Sequence, residues 1–226
     1  MKSKPNTPDA ANPSHPRRVP VQGRARETVQ KLLSHAERMV AEQGRVDLNL
    51  TELAQAAGVA IGTVYKYFPG QSAIVRALAE EHIERLRELL HAAVNRFQGA
   101  AGELNAADAE GRARLLEEMV HGVIDAYFTF YHEDPTFQII WRGIQADPAL
   151  RELDLEDSRR NAEFLADSFR MFSDLPPAKL RALALLLSDL SGSALRLTLD
   201  LSTREAREVT SHFKRMVAMY VIELFS

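Results

Sequence analysis

The sequence predicts an all-α protein of about nine helices, in which an N-terminal three-helix head precedes a C-terminal helical body. Apolar residues recur at three- and four-residue spacing along most of the chain, and no stretch shows a strong two-residue alternation typical of a half-buried strand. Prolines and glycines fall between these apolar stripes, where helices are expected to end. We therefore expect an arm over 1–23, a head over 24–70 and a body over 71–226.

The predicted arm is basic and rich in proline. Residues 1–26 carry six basic side chains and one acidic side chain, a net charge of +5, whereas the whole chain has a net charge of −3. Five prolines and little apolar surface make a folded arm unfavourable, so we expect disorder there. A basic arm ahead of a DNA-binding head can contact phosphates or a minor groove. The alternative is a solvated terminus without a role in binding.

The head contains a helix-turn-helix pattern over 49–71, after a first helix predicted over 24–43. Leu53 belongs to the apolar face of a short helix, and Gly58 lies where a tight turn needs a positive φ. Val64 and Phe68 then repeat at helical spacing in a second short helix. This arrangement leaves one face of the second helix free for the major groove of DNA.

The predicted contacts to DNA follow from the chemistry of that face. Thr63 can bond a base edge or a phosphate, Lys66 can reach a guanine or a phosphate, and Ile61 can pack on a thymine methyl group. The tyrosine hydroxyls can bond phosphates, or the rings can be mostly buried in the core. Asn49 is expected to cap the first short helix and to aim its N–H groups at a phosphate. The full predicted set is Asn49, Thr51, Ala60, Ile61, Gly62, Thr63, Tyr65, Lys66 and Tyr67.

Over about 24–78 the chain resembles the tetracycline-repressor (TetR) family of bacterial transcriptional regulators. The residues that carry the resemblance are Gly44, Asn49, Leu53-Ala54, Ala57-Gly58-Val59 and Gly62-Thr63-Val64-Tyr65-Lys66-Tyr67-Phe68. The resemblance implies a DNA-binding head, a helical body that binds a small molecule, a homodimer and a bacterial cytoplasmic location. Two positions depart from the family pattern, since Ala60 is often serine there and Gln71 is commonly lysine. Both departures remove side chains that could bind phosphate.

The body is predicted to be helical from residue 72 onward. Pro135 and Pro148 mark helix boundaries, and Ser202 with Glu205 forms a capping box at the start of the last helix. A loop is expected over 98–111. The predicted helices cover 72–97, 112–131, 136–145, 149–172, 177–199 and a final segment from 202.

An aromatic concentration over 119–144 predicts an apolar pocket for a small-molecule effector with a few orienting polar groups. The resemblance points to the same region. The alternative is that these side chains form ordinary core, which an aromatic stripe at helical spacing commonly does. The predicted lining residues are Met119, Val123, Tyr127, Phe130, Phe137, Ile140, Trp141 and Phe164.

The last two helices are predicted to form the interface of a homodimer, as the resemblance implies. Dimerisation is favoured because one recognition helix reads too few base pairs for useful specificity. The alternative is that both helices fill the core of one subunit. The predicted interface residues are Leu183, Leu187, Leu190, Ala194, Phe213, Val217 and Tyr220.

Other chemistry has little support in the sequence. His121, Asp125 and His132 share a helix face and could hold a metal or form an acid/base pair, but Phe128 lies between them and no known metal or catalytic frame surrounds them. The chain has no cysteine, no membrane-spanning apolar run and no phosphate loop. We predict no enzyme activity, metal or cofactor.

The sequence thus predicts a repressor that binds a palindromic DNA operator as a homodimer and is released by a small, partly apolar effector. One alternative is an activator, or a regulator controlled by a protein partner. A different class of protein, a helical enzyme using His121 and Asp125, is disfavoured.

Overall fold

The computed structural model describes residues 23–99, 108–143, 147–170 and 175–225. Within these ranges the chain forms nine α-helices and no β-strand, which confirms the predicted fold class. The predicted arm, except Gly23, lies outside them. None of the helices described is both long and apolar enough to span a bilayer. In order, the helices are α1 (Gly23–Gln43), α2 (Leu50–Ala56), α3 (Ile61–Tyr67), α4 (Gln71–Gly99), α5 (Ala109–Glu133), α6 (Pro135–Gly143), α7 (Pro148–Phe169), α8 (Pro177–Thr198) and α9 (Thr203–Phe225).

The chain divides into two compact units, the first ending at Ala79 and the second beginning at Glu80. In the first unit, α2 packs against α1 and α3. Gly44 at the end of α1 and Gly58 between α2 and α3 have φ values of +67° and +62°, which favour glycine because a Cβ atom is strained there. The buried apolar side chains of this unit include Leu32, Leu33, Ala36, Val40, Leu53, Ala54, Ala57, Val64, Phe68, Ile74 and Leu78.

In the second unit, α7 packs along α8, and α9 packs against both α5 and α8. Two apolar clusters hold these helices together because each removes side chains of several helices from water. The larger one joins α4, α5 and α9 through Phe97, Leu116, Val120, Ile124, Phe213, Val217, Ala218 and Val221. The smaller one joins α7 and α8 through Ala162, Ala166, Leu180 and Ala184.

Capping side chains determine where several of these helices begin. Asp108 accepts a hydrogen bond from the Gly111 N–H at 2.8 Å, so α5 starts at Ala109. The predicted loop over 98–111 is therefore wrong at its C-terminal end, where an acidic segment serves as a helix start. At α9, Ser202 N–H donates to Glu205 Oε2 at 3.1 Å and Glu205 N–H donates to Ser202 Oγ at 3.4 Å, which confirms the capping box.

Candidate functional sites

The first candidate site is the exposed side of α2 and α3. Asn49 Oδ1 accepts from the N–H groups of Thr51 and Glu52 at 3.0 and 3.3 Å, and its Nδ2 donates to Glu52 Oε1 at 3.0 Å. Asn49 is thus the N-cap of α2, as its position in the sequence predicts. The cap holds the first turn of α2 at the surface.

Helix α3 is divided into a buried face and an exposed face. Val64, Tyr67 and Phe68 are buried, Tyr67 with 8% of its surface exposed. Tyr65 and Ile61 lie on the opposite side, and 47% of the Tyr65 surface is exposed. The two tyrosines therefore differ, because Tyr67 is mainly a core residue while Tyr65 presents its ring and hydroxyl to solvent.

Most of the residues predicted to contact DNA lie together on this surface. Thr63 is half-buried and Tyr67 is buried, whereas the exposed members are Asn49, Thr51, Ala60, Ile61, Gly62, Tyr65 and Lys66. The Lys66 ammonium group lies 5.4 Å from the centre of the Tyr67 ring, a cation–π distance. The surface thus offers one cation, hydroxyl groups and an apolar side chain within two turns of helix.

The two departures from the family pattern also have visible structural consequences. Ala60 is the N-cap residue of α3 and makes no side-chain capping bond. Gln71 Nε2 donates to the carbonyl oxygen of Val46 within the same unit. The sequence interpretation missed Lys31, an exposed residue of α1 whose ammonium group lies 3.9 Å from the position of a Cβ atom at Gly58, next to the turn.

The second candidate site is a cavity of about 130 Å³ inside the second unit. Helices α4, α5, α7, α8 and α9 all contribute to its wall. Of the eight residues predicted for the pocket, Met119, Val123 and Tyr127 line it, one turn apart along α5. Most of the other lining residues are aliphatic, so this space is suited to an apolar molecule.

Polar groups at one part of the wall are held by a buried network. Asn161 lines the cavity and donates through Nδ2 to Asp157 Oδ2 at 2.9 Å. Arg87 Nη2 in turn donates to Asp157 Oδ1 at 2.8 Å. Burial raises the pKa of the Tyr127 hydroxyl, and the nearby charge of Asp157 raises it further, so this group stays protonated at neutral pH.

The other five predicted pocket residues do not line this cavity. Phe137 lies at the centre of an aromatic cluster, stacked on Trp141 with 4.3 Å between ring centres and in edge contact with Phe130 at 5.2 Å. Ile140 is also buried. Phe164 on α7 instead stacks on His91 of α4 at 3.8 Å. The cavity wall includes Asn161 and Ser188, which the sequence interpretation missed although both are polar residues on otherwise apolar helix faces.

The residues predicted for the dimer interface take different positions within the chain. Leu183 and Leu187 line the cavity, Phe213 and Val217 are buried in the larger apolar cluster, and Tyr220 is exposed. The remaining two, Leu190 and Ala194, are partly buried against the same cluster. Large exposed apolar side chains on the same two helices are Leu186, Leu197, Met216, Met219 and Tyr220.

Of the three residues predicted to share a helix face, His121 and Asp125 border one surface cleft, and His132 does not line it. Asp125 pairs with Lys214 of α9 at 2.6 Å, and His121 lies 3.9 Å from Glu117. His132 Nε2 lies 2.9 Å from Thr198 Oγ1. Asp125 and His132 thus each have a partner on another helix, whereas His121 Nε2 is buried without a hydrogen-bond partner among the described residues.

Comparisons with known proteins agree with the resemblance seen in the head. Residues 32–78 match the model "Bacterial regulatory proteins, tetR family", and residues 114–225 match "Tetracyclin repressor-like, C-terminal domain". The chain matches no curated protein sequence.

Solved structures, including two of TetR-family regulators, share the fold at low sequence identity. One from Pectobacterium atrosepticum is 17% identical with a TM-score of 0.60, over 91% of this chain and 98% of its own. One from Streptomyces coelicolor is 22% identical with a TM-score of 0.57, over 87% of this chain and 82% of its own. The structure of RolR in complex with resorcinol is 19% identical with a TM-score of 0.55, over 90% of this chain and 95% of its own.

Proposed function

The chain belongs to the tetracycline-repressor (TetR) family of transcriptional regulators, and we propose that it represses transcription by binding a palindromic operator in bacterial cytoplasm until a small molecule releases it. The observation that carries this proposal is the exposed face of α3. Ile61, Tyr65 and Lys66 project from a helix whose opposite face is anchored by Val64 and Phe68. A rigid helix with an exposed polar and apolar face is what major-groove recognition requires.

A homodimer is the second part of the proposal. Eight large apolar side chains are exposed among the described residues, and five of them lie on α8 and α9, which pack against each other. Scattered exposed apolar residues are normal, but a concentration on two adjacent helices supports an interface. We propose that Leu186, Met216, Met219 and Tyr220 contact the partner subunit, and that the more buried predicted residues pack beneath them.

The release step uses the cavity in the second unit. A ligand can shift the equilibrium between DNA-binding and released dimers only by the difference between its affinities for the two states. A change from 1:99 to 99:1 needs about 5.5 kcal/mol of that difference. A mainly apolar cavity supports such a difference, because its walls come from five helices that must keep their spacing around the ligand. RolR, a solved structure of this fold, carries resorcinol.

The stoichiometry on DNA tests the proposal. A duplex containing the selected operator should bind two copies of the chain, measured by analytical ultracentrifugation at about 0.15 M salt, where specific binding exceeds nonspecific binding. A duplex with one half-site scrambled should bind much more weakly. One chain per intact operator, with the same affinity for the scrambled duplex, would contradict the proposed dimeric repressor.

A further inference from the structure

Three of the residues that line the cavity each carry a buried polar atom without a hydrogen-bond partner among the described residues. These atoms are Tyr127 Oη on α5, Asn161 Oδ1 on α7 and Ser188 Oγ on α8. Leaving one such group unsatisfied destabilises a protein by about 1–3 kcal/mol, so buried polar groups are nearly always bonded. Three unpaired groups on the wall of one cavity therefore indicate a polar occupant that bonds them.

The hydrogen bond from Asn161 to Asp157 determines which side-chain atom of Asn161 is left without a partner. Asp157 is held by Arg87 and, as a carboxylate, can only accept, so it takes the Asn161 NH₂ group at 2.9 Å. The carbonyl oxygen of the Asn161 side chain is left without a donor, on a residue that lines the cavity. The hydroxyls of Tyr127 and Ser188 can each donate or accept. One hydroxyl group on a ligand can donate to Asn161 and accept from either of the other two.

The charge of the wall limits the ligand further. Every described residue that lines the cavity is uncharged. The nearest ionic groups bonded to the wall, Asp157 and Arg87, are paired with each other at 2.8 Å. Transferring an unpaired ion into such a space costs far more than a hydrogen bond returns. A carboxylate or ammonium ligand is thereby disfavoured.

The size of the cavity gives the scale of the ligand. Its volume of about 130 Å³ is close to that of an engineered apolar cavity, roughly 150 Å³, that takes up benzene. One ring, or a hydrocarbon chain of similar volume, fills this space.

We propose that the cavity binds a small uncharged molecule of single-ring size whose hydroxyl group hydrogen-bonds with Asn161 and with Tyr127 or Ser188. The inference rests on the proposed function in one respect, since molecules of this class would be the effectors that release the protein from DNA. The apolar wall removes the ring of the ligand from water, and the three polar atoms distinguish a hydroxylated ring from a plain hydrocarbon.

The test uses the full chain with phenol, toluene and benzoate, which share a ring and differ in the polar group. Calorimetric titration at pH 7 should give a dissociation constant for phenol at least about fivefold below that for toluene, the lower end of what bonding an otherwise unsatisfied group contributes. Benzoate should not bind measurably. Toluene binding as tightly as phenol would overturn the inference. So would the absence of binding by all three molecules, which is the result expected if the cavity holds only water.

Variants that remove one hydroxyl each locate the preference in the cavity. At least one of Tyr127→Phe and Ser188→Ala should reduce the preference for phenol over toluene, while the folded protein loses no stability because an unsatisfied group is removed. Tyr131→Phe is the matched control, since Tyr131 is buried on the same helix and does not line the cavity. An unchanged preference in both cavity variants would contradict the assignment.

The same samples separate this inference from the function on which it rests. Phenol binding with the predicted preference but without any effect on operator affinity would keep the cavity assignment and remove its role in release. Specific operator binding by a chain that ignores all three molecules would reject the cavity assignment and leave the DNA-binding proposal in place.

Discussion

Arg87 on α4 and Asp157 on α7 form a largely buried ion pair, with 2.8 Å between Nη2 and Oδ1 and side chains 18% and 14% exposed. Burial raises the pKa of Asp157 despite the hydrogen bond and charge of Arg87, which lower it. Removing one partner of a buried pair leaves an uncompensated charge, so we expect Arg87→Met to lower the free energy of unfolding by about 3 kcal/mol at pH 7.

The pH dependence of that loss has a defined sign. A carboxyl group whose pKa is raised by folding favours the native state in its protonated form, and this contribution is lost as pH rises through the folded pKa. Without Arg87 the pKa of Asp157 should rise further, so the penalty of Arg87→Met should shrink as pH falls from 7 toward 4. Urea unfolding of the wild-type and Arg87→Met proteins between pH 7 and pH 4 measures this difference in the free energy of unfolding. Arg170→Met, which removes an exposed pair with Asp167, should change stability little at either pH.

His132 provides a second pH-dependent prediction. The Thr198 hydroxyl donates to Leu195 O at 2.6 Å, so His132 Nε2 must carry the proton in their 2.9 Å contact. Burial lowers the pKa of His132 below its ordinary value of 6.5, so folding disfavours the charged ring. Stability should therefore fall as pH drops below 6.5, and His132→Gln should reduce this fall. Parallel slopes for the two proteins in thermal unfolding between pH 7 and 5.5 would contradict the prediction.

Asn49 combines a structural role with a predicted DNA contact, and two substitutions separate them. Asn49→Ala removes the cap of α2 and should cost about 1 kcal/mol of stability. Asn49→Asp keeps a good N-cap but places a negative charge where a phosphate is expected, so it should fold normally and bind operator more weakly. Chemical unfolding and fluorescence anisotropy measure the two effects. Full operator affinity in a folded Asn49→Asp protein would remove Asn49 from the DNA surface.

Lys66 is the exposed cation of α3 and is expected to contact DNA. Lys66→Ala should weaken operator binding and, if the contact is to a phosphate, reduce the slope of log affinity against log salt by about 1. A lower affinity with an unchanged slope would instead assign Lys66 to a base edge. Lys179→Ala, an exposed change in α8, is the control. Equal affinities for the Lys66 variant and the control would contradict a DNA contact.

The proposed dimer interface predicts a change of oligomeric state. Leu186→Glu with Met219→Glu places two charges on the most exposed apolar positions of α8 and α9, 59% and 62% exposed. Sedimentation equilibrium should then show monomers, because an unpaired charge at the centre of an interface is costly. Leu155→Glu, an exposed position on α7, should leave the dimer intact. A double variant that still sediments as a dimer would place the interface elsewhere.

The sequence predicted helices well because each carries its own local signals. The cap at Asn49, the glycine at the positive φ of residue 58 and the capping box at Ser202 all act within a few residues. Tyr67 follows the same logic, since its spacing of three from Val64 puts both on the buried face. This three-residue spacing in the sequence distinguishes Tyr67 from Tyr65, which lies on the exposed face.

The cavity could be predicted only in part, because its wall is assembled from distant segments. Spacing along α5 brings Met119, Val123 and Tyr127 onto one face, but which face meets the cavity depends on where α7 and α8 pack. The aromatic residues near Phe137 are close in sequence and instead fill core. Asn161 and Ser188 join the site only through tertiary contacts.

The most direct test of the account is selection of fragmented source DNA on the purified chain at about 0.15 M salt, with sequencing of the retained fragments. We expect enrichment of one palindromic sequence, whose two half-sites are spaced by about one helical turn or more. A folded, dimeric protein that retains fragments without any shared sequence, in the absence of added ligand and after removal of bound molecules, would contradict the claim that this chain is an operator-binding repressor.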